Sequence, residues 1–322
     1  MASKILYCGG NTMDNLGNGF LDIGAWYQLR EVFPDAEIIS ISNTFPSKRY
    51  LFGNPTGMLL PGRNKPGAFD LRLCFDADYI VFTAACLADY WVTFNAELID
   101  WIIKTQIKVV ILGASGSDSG SFDYDNSEQK RIRDIVRKMN FHLMTSRDQA
   151  TFDNYADLAD HAHNGIDCAM FLNDAFQPSK MTIGEFDVFT FDAMKEPQIK
   201  TDRQVLRLCH KVSWVDSFCR MIRHPKKVLQ LAYKMDWASE FPEDYLQLYG
   251  NCDTVHTDRV HACVAALIFG NKARYYGKSP RYGLLPRGLQ GADITKEPVM
   301  LDLDFVASEK QKQLDFLHTV FN

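Results

Sequence analysis

The amino-acid sequence predicts an α/β protein built from two Rossmann-like layers, and three observations lead there. Short apolar runs of strand length recur in the first half: KILYC at Lys4–Cys8, YIVFT at Tyr79–Thr83 and KVVILG at Lys108–Gly113. Runs that are apolar on both faces belong to buried parallel sheets. Most are followed by a helical stretch, and the glycine-rich or small-residue loops after Cys8 and Gly113 fit ligand loops of an α/β layer. A second strand-and-helix series begins at Phe186–Phe191 (FDVFTF), after the broken stretch NDAFQPSKMTIG. The boundary therefore falls near Pro178–Gly184. It separates an N-terminal domain, residues 1–180, from a C-terminal domain, residues 181–305. A last helix within residues 306–322 carries Leu314, Leu317 and Phe321 at helical spacing and is expected to fold back on the first domain.

The totals agree with this plan. A chain of 322 residues is comfortable for two domains of ordinary size. With 46% hydrophobic and 23% charged residues it reads as globular and soluble. A formal net charge of −5 and the lack of a long basic run argue against nucleic acid as a partner. The basic cluster at Arg220–Lys227 reads as a solvated helix end. No apolar stretch has the length of a transmembrane segment, and the chain opens on a strand pattern rather than a signal peptide. Eight cysteines are scattered, mostly in apolar runs, with no CxxC pair. Reduced thiols, no bound metal and a cytoplasmic location are the expectation.

Taken in order, Lys4–Cys8 leads into GGNTMDNLGNG, a glycine-rich loop, and then a helix over Phe20–Val32. The glycine spacing is not that of a dinucleotide fingerprint. Ala36–Ile41 is a second strand, and Thr44–Phe69 a long irregular excursion. Leu87–Lys104 reads as helix. After Lys108–Gly113 comes the small-residue loop Ala114–Tyr124, then a capped helix over Ser127–Met139, with Asp125 and Glu128 forming the capping pattern. Phe141–Ser146 is a strand that ends at Arg147-Asp148, with a short helix through Tyr155. Arg147 is either half of a surface pair with Asp148 or a strand-end ligand group. His161 and His163 have metal-ligand spacing but no third ligand near them, so they read as part of a polar loop. Leu206–Met221, Pro225–Asp236 and Glu243–Leu248 read as helices.

The most informative stretch is Asn251–Arg281, NCDTVHTDRVHACVAALIFGNKARYYGKSPR. Thr257 reads as a helix N-cap, followed by an apolar helix from Asp258 that Gly270 and Asn271 end. Ala273–Tyr276 is the next strand. Asp258, Arg259 and His261 thus fall in the first turn of an otherwise apolar helix. A helix start offers unpaired N–H groups and partial positive charge, to which Arg259 adds a full charge. On the residues alone two readings stay open. Either Arg259 pairs with an acid while His261 packs in the core, or both face an anionic ligand.

The segment TDRVHACVAALIFGNKARYYGK resembles the C-terminal signature of the polysaccharide pyruvyl transferase family, an Arg-x-His step opening a helix with a lysine-bearing loop beyond. Ser146-Arg147-Asp148 resembles a second family step. Asn15-Leu16-Gly17-Asn18 resembles a third, in which the family's acid has become the amide of Asn18. The resemblance implies a glycosyltransferase-B-like pair of Rossmann domains facing a cleft. It also implies a transferase that moves pyruvate from phosphoenolpyruvate onto a sugar of a cell-surface or extracellular glycan, forming a ketal. It further implies Arg259 and Arg147 on the donor anion with the N–H groups around Val260, Lys278 near the phosphate, and Asn15 and Gly17 in the binding loop. His261 becomes the general acid or base. No cofactor is implied beyond phosphoenolpyruvate as donor; the partner is a glycan or lipid-linked sugar acceptor. Two other readings fit the same residues: a nucleotide-sugar glycosyltransferase of this architecture, and a family member that has lost catalysis and binds a glycan or protein.

Overall fold

A computed structural model describes residues 2–10, 15–43, 70–84, 86–116, 127–210, 235–278, 285 and 288–321. Within them the chain forms two compact units. The first comprises residues 1–10, 28–167 and 311–322, the second residues 11–27 and 168–310.

The first unit holds a six-stranded parallel sheet ordered β2-β1-β3-β4-β5-β6. The strands are β1 (Lys4–Gly9), β2 (Glu37–Ser42), β3 (Tyr79–Thr83), β4 (Lys108–Ala114), β5 (Phe141–Ser146) and β6 (His161–Asn164). The apolar runs read from the sequence are its central strands, and their side chains are buried because both faces are covered. Leu6, Ile80, Phe82, Val109 and Ile111 pack with Leu98, Ile99 and Ile102 of a flanking helix in one core. At roughly 25 cal/mol per Å² of apolar surface removed from water, such side chains each contribute on the order of 2 kcal/mol.

The helices are α1 (Leu16–Val32), α2 (Asp89–Phe94), α3 (Ala96–Thr105), α4 (Ser127–Val136), α5 (Gln149–Tyr155), α6 (Leu172–Ala175), α7 (Pro242–Asn251), α8 (Val260–Ile268) and α9 (Leu303–Phe321). The mostly helical stretch expected over Leu87–Lys104 is helical, as two helices broken at Asn95. That side chain is committed elsewhere: its amide donates to the Trp91 carbonyl, and its oxygen accepts Nη1 of Arg72 at 2.8 Å. Arg72 is fully buried, pairs with Asp70 at 2.6 Å and also donates to Asn43. One guanidinium therefore ties together the two flanks, Asn43 and Asp70, of the excursion at Thr44–Phe69, which itself lies outside the described residues. So do the Asp125 cap, most of the loop at Ala114–Tyr124, the basic cluster at Arg220–Lys227 and most of the two helices expected over Leu206–Met221 and Pro225–Asp236.

Two strand assignments correct the expectations in the described parts. His161 and His163 lie on β6 rather than in a polar loop, paired in parallel register with Leu143 and Thr145 of β5. Their rings pack against neighbouring rings: His163 stacks on Phe316 and His161 meets His142 edge-on. Leu206 belongs to a strand, β8 (Gln204–Arg207), because parallel pairing with β7 (Phe186–Thr190) takes its backbone groups.

The second unit holds a four-stranded parallel sheet ordered β10-β9-β7-β8, with β9 at Thr254–Thr257 and β10 at Lys272–Tyr275. Helix α8 is buried at all nine positions, as its all-round apolar sequence requires. The chain enters this unit at Cys168 rather than near Pro178–Gly184. The reason is packing: Cys168–Phe171 is buried, and a Cβ at Gly24 of α1 would stand 1.8 Å from the Cys168 carbonyl oxygen. Residues 11–27 also group here, so neither unit is a continuous stretch of sequence. No helix of the described residues is long and apolar enough to cross a membrane.

Candidate functional site

In an open parallel sheet, ligands bind beyond the carboxyl ends of strands where the order reverses. In the second unit that point lies between β7 and β9, since β8 sits on the far side of β7 and β10 on the far side of β9. Strand β7 runs out at Thr190 into Phe191-Asp192, and β9 runs out at Thr257 into Asp258-Arg259, with Thr190 and Thr257 in register. The charged triplet of the sequence therefore emerges beside an acid from another strand.

The turn after β9 is fixed by its own side chains. Thr257 Oγ1 donates to the Thr190 carbonyl and accepts the Arg259 N–H at 2.8 Å. It is the last residue of a strand, and the N-cap position of α8 falls on Arg259, two residues later than the sequence suggests. Asp258 turns back across the sheet and accepts the backbone N–H groups of Asp192, Ala193 and Met194 at 3.3, 2.8 and 2.8 Å. Burial raises the pKa of its carboxyl group even against those donors.

Arg259 leaves this turn with its Nε–H on Oδ2 of Asp192 at 3.0 Å and Asp258 Oδ1 at 3.6 Å. Its Nη2 is buried and has no hydrogen-bond partner among the described residues. A guanidinium nitrogen left this way costs on the order of 1–3 kcal/mol unless something binds it. The acid-paired reading of Arg259 holds at Nε, while Nη2 is a buried donor with no partner among the described residues.

Behind Asp192 stands a second layer. The same Oδ2 accepts the backbone N–H of His210 at 3.0 Å. The His210 ring bonds Tyr249 Oη through Nε2, and the Tyr249 hydroxyl also meets Thr190 Oγ1 at 3.3 Å. Full burial pushes the His210 pKa down to about 3, so the ring is neutral near neutral pH, and it lifts the Tyr249 phenol well above its usual range. The His210 carbonyl accepts the N–H of Leu16, the first residue of α1. That bond brings the start of α1 to the start of α8.

There Gly17 meets His261. A Cβ at Gly17 would lie 2.9 Å from His261 Nδ1 and 3.3 Å from Asn15 Oδ1, an approach only glycine permits. His261 is 9% exposed, and Val260, the first residue of α8, is 8% exposed. The second unit therefore brings together Asn15, Gly17, Arg259, Val260 and His261. Lys278 is exposed just beyond β10. Arg147 belongs to the first unit and pairs not with Asp148 but with the buried Asp167 at 3.0 Å. Asp148 instead caps α5, accepting from Thr151. Among the described residues no three His, Cys, Asp or Glu side chains gather in a metal-binding group. Sequence reasoning missed Asp192 and His210. The only signal was position, an acid directly after the run FDVFTF and a histidine just past β8.

A model of the polysaccharide pyruvyl transferase family matches residues 15–273. No curated protein sequence matches the chain. Among solved structures, the S. aureus MnaA–UDP co-structure aligns with a TM-score of 0.53 at 11% identity, covering 99% of this chain and 90% of that one. UDP-N-acetylglucosamine 2-epimerase from Rickettsia bellii aligns with a TM-score of 0.50 at 9% identity, covering 100% and 97%. At such identity the likeness is one of fold: two Rossmann-like units of the glycosyltransferase-B-like kind.

Proposed function

The chain belongs to the polysaccharide pyruvyl transferase family, and from that membership we propose that it transfers pyruvate from phosphoenolpyruvate to a sugar of a cell-surface or extracellular glycan. The product is a cyclic ketal. Phosphoenolpyruvate carries a carboxylate and a phosphate, and arginine grips such groups through paired hydrogen bonds. The observation that carries this reading is that Arg259 Nη2, at the start of α8 beside His261, is buried and has no hydrogen-bond partner among the described residues. The N–H groups of the first turn of α8, from Val260 on, add donors and partial positive charge for the same anion. Asn15 and Gly17 line the approach, with Lys278 as a further cation for the donor.

The chemistry balances with one shuttled proton. The donor's methylene carbon gains a proton to become methyl, two sugar hydroxyls bond to its neighbouring carbon, and phosphate leaves. Of the two hydroxyl protons, one is matched by the new methyl hydrogen and the other departs with phosphate. A histidine can give the first proton and take the next. His261 holds that role in this proposal. The donor is consumed as a substrate, so no separate cofactor is called for, and the reaction is placed in the cytoplasm.

The test is release of inorganic phosphate from phosphoenolpyruvate with a panel of glycan and lipid-linked sugar acceptors. The expected result is release that depends on both donor and acceptor. A melting temperature raised by a UDP-sugar and not by phosphoenolpyruvate would point instead to a nucleotide-sugar enzyme. Binding of phosphoenolpyruvate without phosphate release for any acceptor would point to a member that has lost catalysis.

A further inference from the structure

We infer that Asp192 is a positioning residue for this site: it fixes the guanidinium of Arg259 so that Nη2 is presented to the anionic donor. The inference rests on the reading of Arg259 as the donor's anchor and extends it to a residue from another strand. Asp192 follows β7, is 67 residues from Arg259 in sequence, and has a side chain only 3% exposed. Its Oδ2 holds Arg259 Nε and the His210 amide, both at 3.0 Å, so the carboxylate cannot rotate without losing two donors. Its own amide is held by Asp258. The support behind it is rigid too: the His210 ring is tied to Tyr249, and Tyr249 to Thr190 of β7.

What makes the inference decidable is that charge and geometry pull in opposite directions. Arg259 stands between two carboxylates, Asp192 and Asp258. By charge alone both disfavour an incoming anion, and removing either would tighten donor binding. An arginine, however, binds an anion well only when its planar fork is aimed, and an aimed fork gives up less rotamer freedom on binding. If aiming is the role of Asp192, neutralising it weakens binding even though it removes a negative charge from the site.

The experiment is calorimetric titration of phosphoenolpyruvate into the full chain and into Asp192→Asn, Asp192→Glu, Arg259→Ala and Asp192→Asn/Arg259→Ala, with melting curves for each. The expected result is a Kd raised about tenfold or more by Asp192→Asn, a similar loss in Asp192→Glu, which keeps the charge and shifts it by one methylene, and no further loss from Asp192→Asn once Arg259 is alanine. Unchanged or tighter binding in a folded Asp192→Asn variant would overturn the inference while leaving the donor reading intact. Failure of the unsubstituted chain to bind phosphoenolpyruvate would overturn the donor reading and this inference with it. If neither Asp192 variant is folded at the assay temperature, Asp192 serves stability and the positioning role is wrong.

Discussion

Replacing His261 with alanine is expected to lower turnover by about 10²–10⁴-fold, the usual weight of one acid–base group, and to leave phosphoenolpyruvate affinity largely in place. The separation follows from where the two side chains stand. Arg259 occupies the cap position of α8 and His261 the second residue of the helix, with its Nδ1 edge against Gly17. In the proposed mechanism donor binding draws on the guanidinium and the first-turn N–H groups, neither of which the substitution removes. Proton transfer, in the same proposal, draws on the imidazole alone. Donor affinity, turnover with a working acceptor and melting temperature should be measured on the same preparation. Full turnover in the variant would rule out His261 as the proton carrier. A collapsed melting temperature would instead assign the imidazole to the core of α8, whose residues are otherwise apolar.

Arg147→Ala is expected to destabilise the protein by about 3–5 kcal/mol, the usual result of removing one partner from a buried ion pair. Arg147 and Asp167 have side chains only 3% and 0% exposed, and their contact is 3.0 Å. Taking away the guanidinium removes its cation from a carboxylate deep in the protein. The expected fall in melting temperature is on the order of 10 °C. Replacing both partners at once, Arg147→Met with Asp167→Leu, is expected to restore most of it, because the buried charge is then gone. The comparison also sorts the two roles of Arg147. If it contacts the donor as well as Asp167, the stable double variant still binds phosphoenolpyruvate more weakly. An unchanged melting temperature in Arg147→Ala would show that the pair carries no structural weight.

These two residues mark how far the sequence could be read. Patterns with a period were legible: β3 lies where YIVFT places it, β4 and β5 match their apolar runs to within a residue, and α8 follows from its apolar run. So was the Arg-x-His step, because it depends on residues adjacent in the chain. What could not be read was set by partners far away. The break at Asn95 arises because Arg72, 23 residues earlier, claims its side chain. The N-cap of α8 falls at Arg259 because Thr257 is held in β9 by its register with Thr190, and Thr190 belongs to another strand. The unit boundary at Cys168 reflects the packing of that carbonyl on Gly24. His161 and His163 were misread because β6 is an edge strand of four residues, too short and too polar to announce itself. Asp192 carries no local pattern at all, and only the strand order of the second sheet gives it a role.

The proposed function comes down to whether the Nη2 edge of Arg259, unpartnered among the described residues, is where phosphoenolpyruvate binds. Titrating phosphoenolpyruvate into the unsubstituted chain, Arg259→Ala and Arg259→Lys asks this most directly. Saturable binding is expected in the unsubstituted chain, with affinity at least about tenfold weaker in Arg259→Ala, as for loss of a charge-assisted hydrogen-bonding group. Arg259→Lys is expected to recover only part of it, because one ammonium cannot both hold Asp192 and present a planar fork. Equal affinity in the unsubstituted chain and in a folded Arg259→Ala variant would contradict the assignment of the donor site to the start of α8.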